Sequence, residues 1–395
     1  MKHCKAVYLK KGKEESLKRF HPWIFSGAIL RTDENIEEGD IVRVFSFDNS
    51  FIAIGHYQIG SIAVRVLAFQ DVEIDQNFWI SRLQAALDMR IAIGIVDGSP
   101  NNTYRLIHGE GDQLPGLIID CYGTTAVMQA HSVGMHLCRE AICNALRHVM
   151  GDRILNVYYK SETTLPFKAE LGQQNGFLYG SNSDQITIEN DLRFYVDWLK
   201  GQKTGFFIDQ RENRSLLEHY SKGRTVLNMF CYTGGFSVYA MRGGAKFVHS
   251  VDSSAKAVEL TNLNVALNFP SDRRHTAFCK DAFKYFDDNN GQYDLIVLDP
   301  PAFAKHRSAL RNALKGYARL NAKGMECIKP GGILFTFSCS QVVTKEHFRN
   351  AVFTAAAQAG RKVKILHQLA QPADHPVNIY HPEGEYLKGL VLYVE

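Results

Sequence analysis

The chain has 395 residues, of which 45% are hydrophobic and 22% charged, a balance that excludes a disordered or collagen-like chain and has room for two or three domains. No run of roughly 18 apolar residues occurs, so no membrane span is expected. The net charge of +4 is too small to demand a polyanionic partner, but residues 1–19 hold seven Lys/Arg against two Glu and residues 305–329 seven against one, which points to a local anionic partner, nucleic acid first.

Residues 1–70 read as short strands and turns. Val42–Phe47 and Ile52–Tyr57 flank Asp48-Asn49-Ser50, a hairpin signal, and Ser61–Phe69 is a further β-rich run; a small β-barrel is expected. Ile80, Leu83, Leu87 and Ile91 then recur at helical spacing. Residues 100–197 predict an α+β unit, with one helix over 136–149 that groups Leu137, Ala141, Ala145 and Val149, and a hairpin around Asn190-Asp191. From about 203 strands alternate with helices. Strands are expected at Thr225–Phe230, Lys246–Val251, His275–Phe278, Tyr293–Asp299 and Gly332–Ser338. Helices fall at 234–242, 254–267, 282–288, 308–328 and 344–359, and β-like runs at 362–369 and 386–394 close the chain. Such alternation implies a Rossmann-like α/β fold, a parallel sheet with helices on both faces. The expected domains are 1–72, 73–198 and 199–395.

The eight cysteines form no C-x-x-C pair, so neither a disulfide scaffold nor a metal site is expected. The N-terminus has no apolar stretch followed by a small-residue cleavage site, and a reducing cytoplasm is the expected setting.

The ends of the α/β strands carry the chemistry. The first βα turn runs Asn228-Met229-Phe230-Cys231-Tyr232-Thr233-Gly234-Gly235, where glycine lets backbone approach a ligand. The second strand ends at Asp252, suited to the two hydroxyls of a ribose, and the third is followed by Asp281, suited to an adenine amino group. Either aspartate could instead cap the helix after it. The fourth strand ends Asp299-Pro300-Pro301-Ala302-Phe303. Its prolines stiffen the backbone, Asp299 can accept hydrogen bonds from a planar base, and Phe303 can stack on it. This order is the layout of an S-adenosylmethionine site with chemistry at the fourth strand. The next strand ends Ser338-Cys339-Ser340. A thiolate there could add to C6 of cytosine and make C5 nucleophilic enough to accept a methyl group. Beyond the prolines, Arg307, Arg311, Lys315, Arg319 and Lys323 recur every four residues. This is either a solvated helix face or a phosphate-binding stripe; Leu310, Leu314 and Leu320 are expected on the packed side.

Residues 203–214, the Asn228–Phe236 turn, Asp-Pro-Pro-Ala-Phe, Ser-Cys-Ser, the tail His375-Pro376 with Pro382-Glu383-Gly384-Glu385-Tyr386-Leu387-Lys388-Gly389, and His21-Pro22-Trp23-Ile24-Phe25-Ser26-Gly27 together resemble the bacterial 23S rRNA cytosine-C5 methyltransferases of the large-subunit methyltransferase I type. The resemblance spans the whole chain and implies a PUA-like barrel, a central α+β domain and a class I S-adenosylmethionine-dependent methyltransferase domain. It implies a cofactor set of Phe206, Asp209, Arg211, Asn228, Phe230, Tyr232, Gly234, Gly235, Asp252, Ser253, Asp281, Ala282 and Asp299. The implied substrate set is Pro300, Pro301, Phe303, Lys305, Arg307, Arg311 and Lys315, with Cys339 and Asp299 catalytic. It further implies 23S rRNA or a large-subunit precursor as partner, and a homodimer. Three positions depart from wider patterns. Asn228 and Tyr232 stand where Asp and Gly are commoner, and Asp299 stands where other cytosine-C5 RNA methyltransferases carry a second Cys, which leaves open the group that helps expel Cys339. Competing readings are a guanine-N2 rRNA methyltransferase, which needs no Cys nucleophile, and a non-catalytic rRNA-binding assembly factor.

Overall fold

A computed structural model describes residues 5–97, 100–166, 171, 175–181, 185–289 and 292–395; Cys4 lies outside them. The chain forms two compact units. The first comprises Met1–Asp191, Val196–Phe206 and Ala373–Gly384, and the second Leu192–Tyr195, Phe207–Pro372 and Glu385–Glu395.

In the first unit, a six-stranded sheet runs in the order Trp23–Phe25, Ile62–Ala68, Phe51–Tyr57, Ile41–Phe45, Lys5–Leu9, Ile29–Thr32. Alternating Val7, Leu9, Val42, Val44, Val64 and Val66 bury its inner side, as a period of two requires. Asn49 takes φ 64° at the expected hairpin turn. A second, five-stranded sheet is built from Thr103–His108, Leu117–Tyr122, Thr125–Ala130, Asn156–Tyr159 and Gly176–Tyr179. Two helices, Gln76–Ala92 and Arg139–Met150, share its core. Leu83 and Leu87 of the expected helical stripe are buried, but Ile91 is exposed near the helix end. The helix read over 136–149 is broken at Cys138 into Val133–Leu137 and Arg139–Met150. The break turns Leu137 out to solvent, and the buried face is Ile142, Cys143, Ala145 and Leu146. Asn190 and Asp191 both have positive φ, 49° and 64°, the two-residue hairpin geometry that Asn and Asp tolerate.

The second unit is a seven-stranded sheet of β1 (Thr225–Met229), β2 (Phe247–Asp252), β3 (His275–Cys279), β4 (Tyr293–Leu298), β5 (Ile328–Ser338), β6 (Val363–Leu369) and β7 (Lys388–Val394). Its order is β3-β2-β1-β4-β5-β7-β6. All neighbours are parallel except β7, which runs antiparallel to β5 and β6. The helices are α1 (Arg211–Tyr220), α2 (Gly235–Arg242), α3 (Ala255–Asn268), α4 (Ala282–Asp288), α5 (Leu310–Cys327) and α6 (Lys345–Gln358). Near-continuous apolar strands such as Leu295–Leu298 and Leu390–Leu392 are what a sheet covered on both faces needs. The expected strand at 332 starts earlier, at Ile328, because the pairing register jumps between Tyr293 and Leu295 of β4 and absorbs Lys329-Pro330-Gly331-Gly332. The order reverses between β1 and β4, and open α/β sheets bind ligands at the carboxyl ends of the strands flanking such a point. No helix among the described residues is long and apolar enough to cross a membrane.

Candidate active site

After β1 the backbone passes through Phe230, Tyr232 and Gly234 at φ 59°, 47° and 77°. Two non-glycine residues in the left-handed region are costly and need support. Cys231 N–H donates to the Val251 carbonyl at 3.0 Å. Tyr232 N–H donates to Asp252 Oδ2 at 3.0 Å, and Thr261 Oγ1 donates to the Tyr232 carbonyl at 2.9 Å. At Gly234 a Cβ would lie 2.7 Å from Thr261 Cγ2, so only glycine lets α2 start this close to α3.

Asp252 therefore braces the turn. Its second oxygen accepts Ser254 N–H at 2.9 Å, and the cap of α3 is Ser254, whose Oγ accepts Ala257 N–H. A carboxylate oxygen has two lone pairs, so both keep capacity for a ligand hydroxyl. Asp281 is the opposite case: it does cap α4, its Oδ1 accepting from Phe283 N at 3.0 Å and Lys284 N at 3.1 Å. Ala282, the first residue of α4, is buried; Ser253 is exposed, and its carbonyl accepts the Cys279 thiol at 3.5 Å.

Asn228 lies inside the unit. Its Nδ2 donates to Ser237 Oγ at 2.9 Å, and Ser237 continues to Ser250 Oγ at 2.7 Å and on to His275 Nε2 at 2.8 Å. Burial pushes the His275 imidazole down to about 4, so this polar ladder is neutral. Asn228 Oδ1 is buried and has no hydrogen-bond partner among the described residues, an orphan acceptor of the kind a ligand amine satisfies.

The expected 203–214 border is split between the units. Phe206 is buried at the end of a first-unit segment. In the second unit, Asp209 is buried and its Oδ2 accepts from Tyr386 Oη at 2.7 Å; Arg211 is buried, with Nε 3.6 Å from Glu212 Oε1. Gln210, which the sequence reading did not single out, donates from Nε2 to Asp299 Oδ2 at 3.0 Å. Gln210 is itself held by Asn213 Nδ2, which donates to its Oε1 at 2.6 Å.

At the end of β4, Asp299 is half-buried, Pro300 buried and Pro301 exposed. Phe303 leans on α5, its ring 4.6 Å from that of Tyr317. Tyr317 is fully buried. Ser338 Oγ donates to its hydroxyl at 2.9 Å, and the hydroxyl lies 3.1 Å from Ser340 Oγ. Ala304 N–H donates to the same Ser340 Oγ at 3.3 Å. The two serines flanking Cys339 and the loop that follows Asp299 thus converge on one phenol. Cys339 itself is partly exposed.

Antiparallel pairing of β5 with β7 sets Lys388 opposite Ser338. Lys388 Nζ donates to the carbonyls of Ser340 and Val343, both at 2.6 Å. Burial pushes this ammonium down to about 8, and the neighbouring Cys339 pulls the other way. Tyr317 and Lys388 were not singled out from the sequence. The available signal was a lysine at the head of an apolar, buried strand, where Lys is rarely found unpaired.

Beyond the prolines, Lys305 and Arg307, which precede α5, and Arg311 and Lys315 on α5 are exposed. Arg319 lies over the Phe283 ring, 4.3 Å from its centroid, and Lys323 pairs with Asp287 at 3.1 Å and Glu326 at 3.3 Å. The stripe therefore divides: its first half faces solvent and its second half is tied to the fold.

Residues 125–381 match the family described as S-adenosylmethionine-dependent methyltransferase, and residues 7–69 match the PUA-like domain. The chain is 40% identical over 394 residues to the ribosomal RNA large subunit methyltransferase I of Alteromonas mediterranea, covering 98% of each. It is 41% identical over 395 residues to the protein of that name from Tolumonas auensis, again with 98% of each covered. Among solved structures it resembles one assigned as a SAM-dependent methyltransferase from Streptococcus mutans, with TM-score 0.84, 25% identity, and 98% of this chain and 100% of that one covered. A second chain, assigned as a methyltransferase and solved in complex with SAH, gives TM-score 0.85 at 25% identity with the same coverage.

Proposed function

The chain belongs to the S-adenosylmethionine-dependent methyltransferases, in the group that acts on large-subunit ribosomal RNA, and from that premise we propose that it methylates C5 of a cytosine in 23S rRNA through Cys339. In this reading residues 1–72 are an RNA-binding PUA-like domain, 73–198 a central α+β domain and 199–395 the methyltransferase domain. The substrate is 23S rRNA or a large-subunit precursor in the cytoplasm.

S-adenosylmethionine, when bound, supplies the electrophilic methyl group. The residues at the strand ends suit it. The Gly234 turn leaves no room for a Cβ, Asp252 keeps lone pairs for ribose hydroxyls, and Asn228 Oδ1 is an unsatisfied buried acceptor. Asp281, whose Oδ1 is engaged as a cap, would meet the adenine through its other oxygen.

The observation that carries the cytosine reading is the Tyr317 junction. One hydroxyl fixes Ser338 and Ser340 on either side of Cys339, and Ser340 holds the loop that follows Asp299. In this reading the segments that carry the nucleophile and the base-facing carboxylate share one junction, which supports a covalent route. The Cys339 thiolate adds to C6, and the C5=C6 electron pair makes C5 enamine-like, able to take the methyl group that the bound cofactor would supply as its methyl–sulfur bond breaks and leaves the pair on sulfur. Asp299, steadied by Gln210, accepts the cytosine amino N–H. Loss of the C5 proton then restores the double bond and expels the thiolate. The Lys388 ammonium beside this segment favours the thiolate by Coulomb attraction, both as nucleophile and as leaving group.

The test is trapping. Cytosine with fluorine at C5 has no proton to lose there, so the wild type should form a denaturation-resistant, methylated RNA–protein adduct. Cys339→Ala should form none and should fall to background methylation, while Cys231→Ala still traps. Methylation by Cys339→Ala near the wild-type rate would overturn the reading and favour transfer to an amino group, as in guanine-N2 methylation. Nucleoside mass spectrometry of rRNA with and without the active chain identifies the product.

A further inference from the structure

Two motifs remain unused by the reaction: His21-Pro22-Trp23 near the N-terminus and His381-Pro382-Glu383 near the C-terminus. Both lie in the first compact unit, and there their polar atoms converge. His21 Nε2 is 3.6 Å from Glu383 Oε1, and His381 Nε2 is 3.8 Å from Glu383 Oε2. One donor atom from each of the three residues lies within 4.8 Å of the other two.

We propose that His21, His381 and Glu383 form a binding site for a divalent transition-metal ion of the zinc class. Two imidazoles and a carboxylate are a donor set that zinc accepts, with bonds of about 2.0–2.2 Å and a fourth position left to water. Tetrahedral geometry with such bonds spaces neighbouring ligand atoms about 3.3 Å apart. The 3.6 and 3.8 Å separations, each to a different oxygen of Glu383, are a few tenths of an ångström longer than that, and the three donor atoms together stay within 4.8 Å.

The independent observation is His381. Its side chain is 2% exposed, and neither ring nitrogen has a hydrogen-bond partner among the described residues. A buried imidazole without partners is unfavourable, and ligation satisfies it.

The surroundings fit the same chemistry. Ligating histidines usually donate their second N–H to a carbonyl or carboxylate, and His21 Nδ1 is 3.3 Å from the Trp23 carbonyl. In the metal-free chain the other tautomer also fits, with Trp23 N–H donating to that Nδ1 at 3.2 Å and Nε2–H facing Glu383; ligation at Nε2 selects the Nδ1–H tautomer and leaves the ring neutral. The Trp23 indole packs 4.3 Å from the His381 ring, centroid to centroid, and its Nε1–H donates to Glu110 Oε1 at 2.8 Å. A wall of aromatic surface on one side and a 46% exposed Glu383 on the other give an enclosed site with a path to solvent. Cysteine spacing carries no trace of this site, because the ligands come from opposite ends of the chain.

The experiment uses the full chain, stripped with chelator and titrated with Co2+ and then Zn2+. One equivalent of Co2+ should bind with visible d–d bands and no near-ultraviolet thiolate band, and Zn2+ should displace it. Zn2+ should also raise the melting temperature of the wild type. His381→Ala and Glu383→Gln should each abolish the stoichiometric binding and the Zn2+-dependent shift; the exposed Glu383 makes the second variant the one that preserves the fold, checked by its metal-free melting curve. No stoichiometric binding by the wild type, binding retained by Glu383→Gln, or a thiolate band that assigns the ion to cysteines would overturn the proposal.

Discussion

Asp252, the last residue of β2, and Asp281, two residues beyond β3, are both carboxylates at strand ends, yet do different work. Asp281 spends one oxygen on two helix N–H groups; Asp252 joins two loops. Asp252→Ala should weaken S-adenosylmethionine binding by about 2–3 kcal/mol, since it removes charge-assisted bonds and loosens the Tyr232 turn. Calorimetry with the variant checks this, and unchanged affinity would take Asp252 out of the site. Lys388 invites a pH experiment. Its folded-state pKa is lowered from 10.5 to about 8 by burial. Below about 8 both folded and unfolded chains hold the proton and the full cost of burying it is present. Between about 8 and 10.5 the unfolded chain binds more protons, so this group's contribution to stability rises with pH. Urea unfolding at several pH values should show that rise in the wild type and a smaller one in Lys388→Met, with slower methyl transfer by the variant at neutral pH.

At the scale of elements, α5 joins two jobs that its sequence presents as one stripe. Tyr317 faces inward and gathers Ser338, Ser340 and, through Ser340, Ala304. Tyr317→Phe should cost about 1–2 kcal/mol of stability. It should lower methyl transfer more than cofactor affinity, which single-turnover rates and calorimetry would separate; equal effects on both would assign the hydroxyl to the fold alone. Outward, Arg311 and Lys315 are exposed, while Arg319 covers Phe283 and Lys323 is paired. Arg311→Ala with Lys315→Ala should reduce the salt slope of RNA affinity by roughly one to two. A slope that does not move would make the stripe a solvated face. The helix at 282–288 and the apolar strands of the second unit were legible because their periods are strong and their caps lie next to them in sequence. The break at Cys138 was not legible, because the buried set Ile142, Cys143, Ala145 and Leu146 is chosen by the sheet beneath it.

At the scale of the molecule, the C-terminal segment 373–384 belongs to the first unit although the strands before and after it belong to the second. Arg90, fully buried, holds Asp112 through both terminal guanidinium nitrogens and donates from Nη2 to the Asp374 carbonyl at 2.8 Å. Asp112→Ala would strand that charge, and the loss should be about 3–5 kcal/mol. Calorimetry should show the first unit melting earlier and the transition of the second unit unmoved; a single shifted transition would mean that the two unfold as one. The sequence by itself determined the alternation of strands and helices, the Gly234 turn, the carboxylates at the strand ends and the position of Cys339, because each rests on neighbours a few residues away. Tertiary structure alone decided that Gln210 holds Asp299, that Lys388 lies beside the Cys339 segment, that Tyr317 binds the two serines, and that His21 meets His381. Those contacts join residues 21 to 360 positions apart, and strand order and register, which local periodicity does not encode, bring them together.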